Sequence, residues 1–122
     1  MAGNPAFGRR IRELREAKKR DDPKFSLRKF AAAIGISPTY LSKVEVGEFA
    51  PPSPENIKKM AALLEVDADE LLALAGKVAP DLPEIIRDQP RAMADFMRTV
   101  RELDVSEEEL QKLTERLRKR KS

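Results

Sequence analysis

The sequence predicts an all-α protein, with a five-helix domain followed by a short C-terminal helical module. Apolar residues recur at helical spacing along most of the 122 residues and nowhere alternate over a convincing run. Ser and Asp, in places followed by Pro, stand just before several of these apolar stripes, where they cap helices. Gly and Pro mark the breaks between the segments.

The first helix is predicted from about Ala6 to Lys19. Its buried stripe consists of apolar residues three or four positions apart, namely Phe7, Ile11 and Leu14. The cluster Asp21-Asp22-Pro23 is typical of a turn and ends this segment.

The second and third helices are short and closely spaced. Ser26 is the predicted N-cap of helix 2, which ends at Gly35. Ser37 is the N-cap of helix 3, and Pro38 stands at its first position, where no N–H donor is needed. The apolar residues that face inward are Leu27, Phe30, Ala31 and Ile34 in helix 2, and Leu41 and Val44 in helix 3.

Two further helices complete the first domain, residues 1–76. The proline-rich stretch 51–54 forces a loop after Gly47, and then Ser53 caps helix 4 and Asp67 caps helix 5. Their inward-facing apolar residues are Ile57, Met60, Ala61, Leu64, Leu71 and Leu72. Five amphipathic helices of this size make one small core.

A second module follows Gly76. Residues 77–89 contain a proline-rich, stiff connection and a short helix from Pro83. Residues 90–122 are predicted to form a helical hairpin, whose second helix begins with a capping box formed by Ser106 and Glu109. Its apolar stripes are Met93, Phe96, Met97, Val100, Leu103, Leu110, Leu113 and Leu117. Two helices cannot bury both stripes alone, so the hairpin packs either on the first domain or on another molecule.

Composition argues against most catalytic chemistry. The chain has no Cys and no His, so it lacks a thiolate nucleophile, an imidazole base and the usual zinc ligands. No Gly-rich phosphate loop or activated nucleophile is evident, and we expect no enzyme activity, no metal and no cofactor. No apolar run approaches about 18 residues and no signal-like segment begins the chain, which predicts a cytoplasmic protein.

Positive charge is concentrated at one end of the sequence. Residues 1–43 hold 11 Lys and Arg against 4 Asp and Glu, whereas residues 44–76 hold 2 against 7. A one-sided positive field attracts the phosphates of nucleic acid. The alternative is a solvated, charged helical surface.

The stretch from Phe25 to Glu48 indicates a helix-turn-helix, the arrangement that places one helix in a DNA groove. The residues that define it are Ala31, the turn Gly35-Ile36-Ser37, and Leu41 to Glu45 with Gly47 after them. In order and spacing, residues 6–76 resemble the lambda-repressor-like (Xre/Cro) family of bacterial and phage transcriptional regulators. The resemblance implies that Arg15, late in helix 1, pairs with Glu45 of helix 3.

The outward face of helix 3 is the predicted base-reading surface, because the inward positions of that helix are apolar. Its members are Pro38, Thr39, Ser42 and Lys43. Lys43 can donate to guanine, and Thr39 can bond a base edge or touch a thymine methyl. Pro38 departs from the glutamine common in the family, and the base sequence stays unpredicted. Without the resemblance, these residues are only the exposed face of a short helix.

Phosphate contacts are predicted at the starts of helices 2 and 3, where backbone N–H groups are free to bind an anion. The residues are Ser26, Arg28, Lys29, Ser37 and Tyr40, and Tyr40 alternatively packs at the rim. Glu48-Phe49 stands where many relatives have basic residues. Further phosphate contacts could therefore come from the loop before helix 2, with Lys18, Lys19, Arg20 and Lys24, although Asp21 and Asp22 oppose this.

The function these features predict is sequence-specific binding of double-stranded DNA by a homodimeric transcriptional regulator, a repressor on an inverted-repeat operator. The eight apolar residues of the hairpin would form the dimer interface. The alternative is an antitoxin-like or adaptor module that holds a protein partner with these helices. Met93 and Met97 suit either a dimer or an adaptable groove.

Overall fold

The computed structural model describes residues 3–120. Within this range the protein has eight α-helices, one short 3-10 turn and no strand, which confirms the all-α prediction. The chain divides into two units after Leu82.

The first unit contains the five predicted helices. They are α1 (Pro5–Lys19), α2 (Leu27–Ile34), α3 (Pro38–Glu45), α4 (Pro54–Leu64) and α5 (Ala68–Leu74), with a 3-10 turn at Pro23–Phe25 between α1 and α2. Helix α1 begins at Pro5 because the Asn4 side chain accepts a hydrogen bond from the Phe7 N–H at 3.0 Å. The Asn4 amide also donates to the Leu74 carbonyl, 3.0 Å away, and thus joins the start of α1 to the end of α5.

Each predicted N-cap of this unit accepts a hydrogen bond from the backbone N–H three residues further on. These caps are Ser26, Ser37, Ser53 and Asp67. Gly35 ends α2 with φ +92°, the left-handed conformation that glycine adopts without a steric penalty. The helix boundaries are therefore set locally by single residues.

The core of the first unit lies where the inward faces of its helices meet. Its buried members are Phe7, Ile11, Phe30, Ala31, Ile34, Leu41, Val44, Ile57, Met60, Ala61, Leu64, Leu71, Leu72 and Ala75. Helix α3 packs on both α1 and α2. A Cβ at Gly8 would lie 2.2 Å from the Val44 carbonyl oxygen, so α1 and the end of α3 are in backbone contact. This close approach fixes the position of α3.

The second unit contains α7 (Pro90–Glu102) and α8 (Glu107–Lys119), preceded by α6 (Asp81–Asp88), which spans the division. Helix α6 begins two residues before the predicted Pro83. The division lies within residues 77–89, the predicted connection, and Ala79 packs against the first core. The Ser106–Glu109 capping box is present. In residues 83–120 no side chain is fully buried.

Every helix within residues 3–120 is too short or too polar to cross a lipid bilayer.

Candidate nucleic-acid interface

Helix α3 has one face in the core and one face at the surface. Leu41 and Val44 are buried against α1 and α2. Of the four predicted base-reading residues, Pro38 and Thr39 are exposed, and Ser42 and Lys43 are partly exposed. The structure therefore brings these four residues together on one accessible surface, which we call the α3 outer face.

A buried ion pair holds α3 on α1. The Arg15 Nε lies 2.7 Å from Glu45 Oε2, and Arg15 Nη2 donates to Glu45 Oε1 at 2.9 Å. The two side chains are only 4% and 5% exposed. Arg15 also donates to the Phe25 carbonyl oxygen at 3.1 Å, so one guanidinium joins α1, α3 and the 3-10 turn. The hydrogen bond to Glu45 raises the pKa of Arg15 above its ordinary value.

Lys43, a predicted base-reading residue, is engaged in an ion pair within the protein. Its Nζ lies 2.9 Å from Glu48 Oε2. Sequence reasoning treated Glu48 only as a departure from the family and missed this contact. Gly47 marks a turn in the sequence, but its left-handed φ of +85°, which directs the chain back towards the last turn of α3, is visible only in the structure.

The predicted phosphate-binding residues stand at the starts of α2 and α3, and Arg28 and Lys29 are exposed. The Ser26 and Ser37 oxygens accept from the N–H groups of Lys29 and Tyr40, at 3.3 and 3.0 Å. A serine hydroxyl that accepts a hydrogen bond keeps its own O–H as a donor. Both serines can therefore cap a helix and still donate to a phosphate oxygen.

Tyr40 differs from the other predicted phosphate contacts because its hydroxyl group already has a partner. It donates to the Ala50 carbonyl oxygen at 3.0 Å, and its ring packs on Phe49 with 6.1 Å between the ring centroids. Partial burial raises the pKa of Tyr40 above its ordinary value of about 10. This geometry corresponds to the alternative of packing at the rim, and a phosphate contact would require the bond to Ala50 to break.

The predicted basic loop begins later than expected, because Lys18 and Lys19 lie in the last turn of α1, and it contributes fewer free cations than predicted. Lys18 forms an ion pair with Glu65, and its ammonium lies 5.7 Å from the centre of the Phe25 ring. The pair with Lys18 lowers the pKa of Glu65. The remaining basic side chains of the loop, Lys19, Arg20 and Lys24, are exposed.

Among residues 3–120, no group of three or more Asp, Glu, His and Cys side chains is placed to hold a metal ion. The interface instead offers hydroxyl groups, ammonium groups, guanidinium groups and backbone N–H groups. All of these are hydrogen-bond donors to phosphate oxygens or base edges.

Comparison with known families places this geometry in context. A family described as Helix-turn-helix (HTH_3) matches residues 11–71, which is half of the chain and includes α2, α3 and both members of the buried ion pair. The chain belongs to this family. The lambda-repressor-like resemblance drawn from the sequence is thereby confirmed.

Several regulators of Bacillus subtilis (strain 168) are similar to this chain. The uncharacterized HTH-type transcriptional regulator RghRB is 40% identical over 82 residues, which are 67% of this chain and 55% of that protein. The HTH-type transcriptional repressor RghR is 32% identical over 73 residues, 60% of this chain and 50% of that protein. The chain thus spans about half the length of the curated relatives it matches.

A solved SinR protein/SinI protein complex also aligns with the chain. The alignment covers 94% of this chain and 97% of that one, with a TM-score of 0.46 and 23% identity.

The two members of the Arg15–Glu45 pair should be strongly coupled in the stability of the first unit. Arg15→Met or Glu45→Leu alone leaves a buried charge unpaired, and we expect each to lower the free energy of unfolding by about 3–5 kcal/mol. The double variant removes both charges and should lose much less than the sum of the two. Urea denaturation of the four proteins measures this coupling.

Glu16→Gln is the matched control, because Glu16 also faces Arg15, at 3.6 Å, but is 49% exposed. Loss of the Glu16 carboxylate should lower the free energy of unfolding by about 0–1 kcal/mol. Additive effects of Arg15→Met and Glu45→Leu would contradict the assignment of the pair as one buried unit.

Proposed function

We propose that the chain binds double-stranded DNA in a sequence-specific manner as a transcriptional regulator, with the α3 outer face in the major groove. The observation that carries this proposal is the exposure of Thr39 and Lys43 on a helix whose opposite face is locked in the core. A base-reading helix needs this combination, since its polar side chains must reach base edges from a rigid support.

Charge and hydrogen-bond donors around α3 support the same partner. Arg28 and Lys29 are exposed in the first turn of α2, beside the N–H groups that a helix start leaves without partners. Such contacts set the register of a protein on the duplex, while side chains of the inserted helix read the bases. Helix α2 and the part of α3 up to Lys43 lie within residues 1–43, where basic residues outnumber acidic ones.

A repressor is the form of regulator that we favour. Occluding a promoter requires DNA binding alone, with no catalysis and no second domain. The relative RghR carries the name of transcriptional repressor, and its similarity to this chain lies over 73 residues.

We further propose that the regulator is a homodimer that binds an inverted repeat. Two half-sites about 34 Å apart on one side of the duplex require two recognition helices related by a two-fold axis. Helices α7 and α8 provide the apolar surface for such pairing. Phe96 is 51% exposed, Met97 44% and Leu117 60%, whereas Met93, Val100 and Leu110 are partly buried.

The exposed methionine also favours a second candidate function. Met97 has a flexible and polarizable side chain that adapts to different apolar partners. The second unit could therefore hold another protein, as an antitoxin-like or adaptor module does. Homodimerisation remains our first proposal because it supplies the second recognition helix that paired half-sites require.

Selection of bound sequences from random duplex DNA tests the DNA proposal. We expect recovery of an inverted repeat with half-sites about one helical turn apart. Thr39→Ala should cost about 1–3 kcal/mol on the selected sequence through a lost base contact. Arg28→Gln and Lys29→Gln should weaken binding to all DNA sequences alike, and each should reduce the salt slope by about one.

Lys112→Gln is the matched control for charge, since Lys112 lies in the second unit and pairs with Glu108. It should leave the salt slope unchanged. Recovery of unrelated sequences, with equal effects of Thr39→Ala on all of them, would contradict sequence-specific readout.

Sedimentation tests the dimer. We expect the wild-type protein to sediment as a dimer and Phe96→Asp to shift it to the monomer, because a carboxylate buried in an apolar interface is unpaired. Val46→Asp makes a similar change at an apolar residue that is 57% exposed in the first unit, and it should leave the dimer intact. A wild-type monomer, or a dimer that Phe96→Asp does not affect, would refute this interface.

A further inference from the structure

The ion pair between Lys43 and Glu48 lies on the α3 outer face itself. Both side chains remain accessible, 44% exposed for Lys43 and 56% for Glu48. The one lysine of the α3 outer face therefore has a carboxylate as its partner before any DNA arrives.

The backbone places Glu48 against Lys43. The Lys43 carbonyl oxygen accepts hydrogen bonds from the Glu48 N–H at 2.9 Å and the Phe49 N–H at 3.2 Å. Gly47, with φ +85°, makes this reversal of the chain possible. The packing of Phe49 on the Tyr40 ring holds the far side of the turn. The Glu48 backbone is thus held over the last turn of α3, within reach of the Lys43 ammonium.

We propose that Glu48 acts on DNA binding through Lys43, by holding its ammonium in an internal ion pair that DNA must displace. A carboxylate oxygen and a DNA acceptor compete for the same ammonium hydrogens. Glu48 is therefore a positioning residue that sets how much Lys43 contributes to affinity. This inference rests on the proposed function.

The Lys43 ammonium can exchange Glu48 for DNA at a small cost in free energy, because both side chains face water. An exposed ion pair of this kind changes an equilibrium by about 1.5- to 5-fold. When Lys43 leaves for DNA, the charge of the Glu48 carboxylate loses its partner and is balanced by cations from solution, which partly offsets the counterions that DNA releases. The wild-type protein should therefore show a shallower salt slope than a protein without this carboxylate.

A double-mutant cycle on DNA binding tests the proposal. It compares the wild-type protein with Lys43→Met, Glu48→Gln and the double variant on a duplex of about 30 base pairs that carries the selected sequence, over a series of salt concentrations. Met keeps most of the Lys43 stem and removes only its charge. We expect Glu48→Gln to tighten binding about two- to fivefold at low salt and to steepen the salt slope. In the Lys43→Met background, it should leave the slope unchanged.

Glu70→Gln is the matched control, because it removes one exposed carboxylate from α5, which packs on α4 and α1. It should change neither the coupling between Lys43 and Glu48 nor the salt slope of DNA binding. Equal effects of Glu48→Gln with and without Lys43 would overturn the inference, since Glu48 would then act only by repelling phosphates. No effect in either background would overturn it as well. Absence of DNA binding by all the proteins would refute the proposed function, and this inference with it.

Discussion

The Arg15–Glu45 ion pair is the interaction on which the arrangement of the DNA-binding unit depends. Burial of a charge is costly unless a partner of opposite charge compensates it, and here each charge compensates the other at 2.7 Å. Because Arg15 also bonds the Phe25 carbonyl, the pair sets α1, α3 and the 3-10 turn relative to one another. The close approach at Gly8 removes the remaining freedom between α1 and α3.

Because the inner face of α3 is fixed in the core, α3 can present polar side chains at the surface without support from another molecule. The surface that it presents is nevertheless organised by contacts within the protein. Lys43 is paired with Glu48, and the Tyr40 hydroxyl is bonded to Ala50. Thr39 differs from them, because it is exposed, whereas Tyr40 and Lys43 are only partly exposed. Thr39 can contact a base once α3 lies in the groove. Lys43 must in addition exchange its ion pair with Glu48 for a contact with DNA.

Features set by neighbouring residues could be predicted from the sequence. Ser26, Ser37, Ser53 and Asp67 define helix starts through bonds three residues away, and apolar spacing identifies the core faces. Contacts across turns could not be predicted, because they depend on backbone angles that spacing does not show. The Lys43–Glu48 pair requires the left-handed Gly47, and the Asn4–Leu74 bond joins residues far apart in the chain.

Our central claim is that α3 contacts DNA through its outer face while its inner face stays in the core. Backbone amide NMR spectra recorded with and without a duplex carrying the selected sequence test it most directly. We predict that the largest chemical-shift changes fall in residues 39–43 and at the start of α2, with little change at the buried positions of α4 and α5. Changes confined to residues 90–120, with none in α3, would contradict the claim.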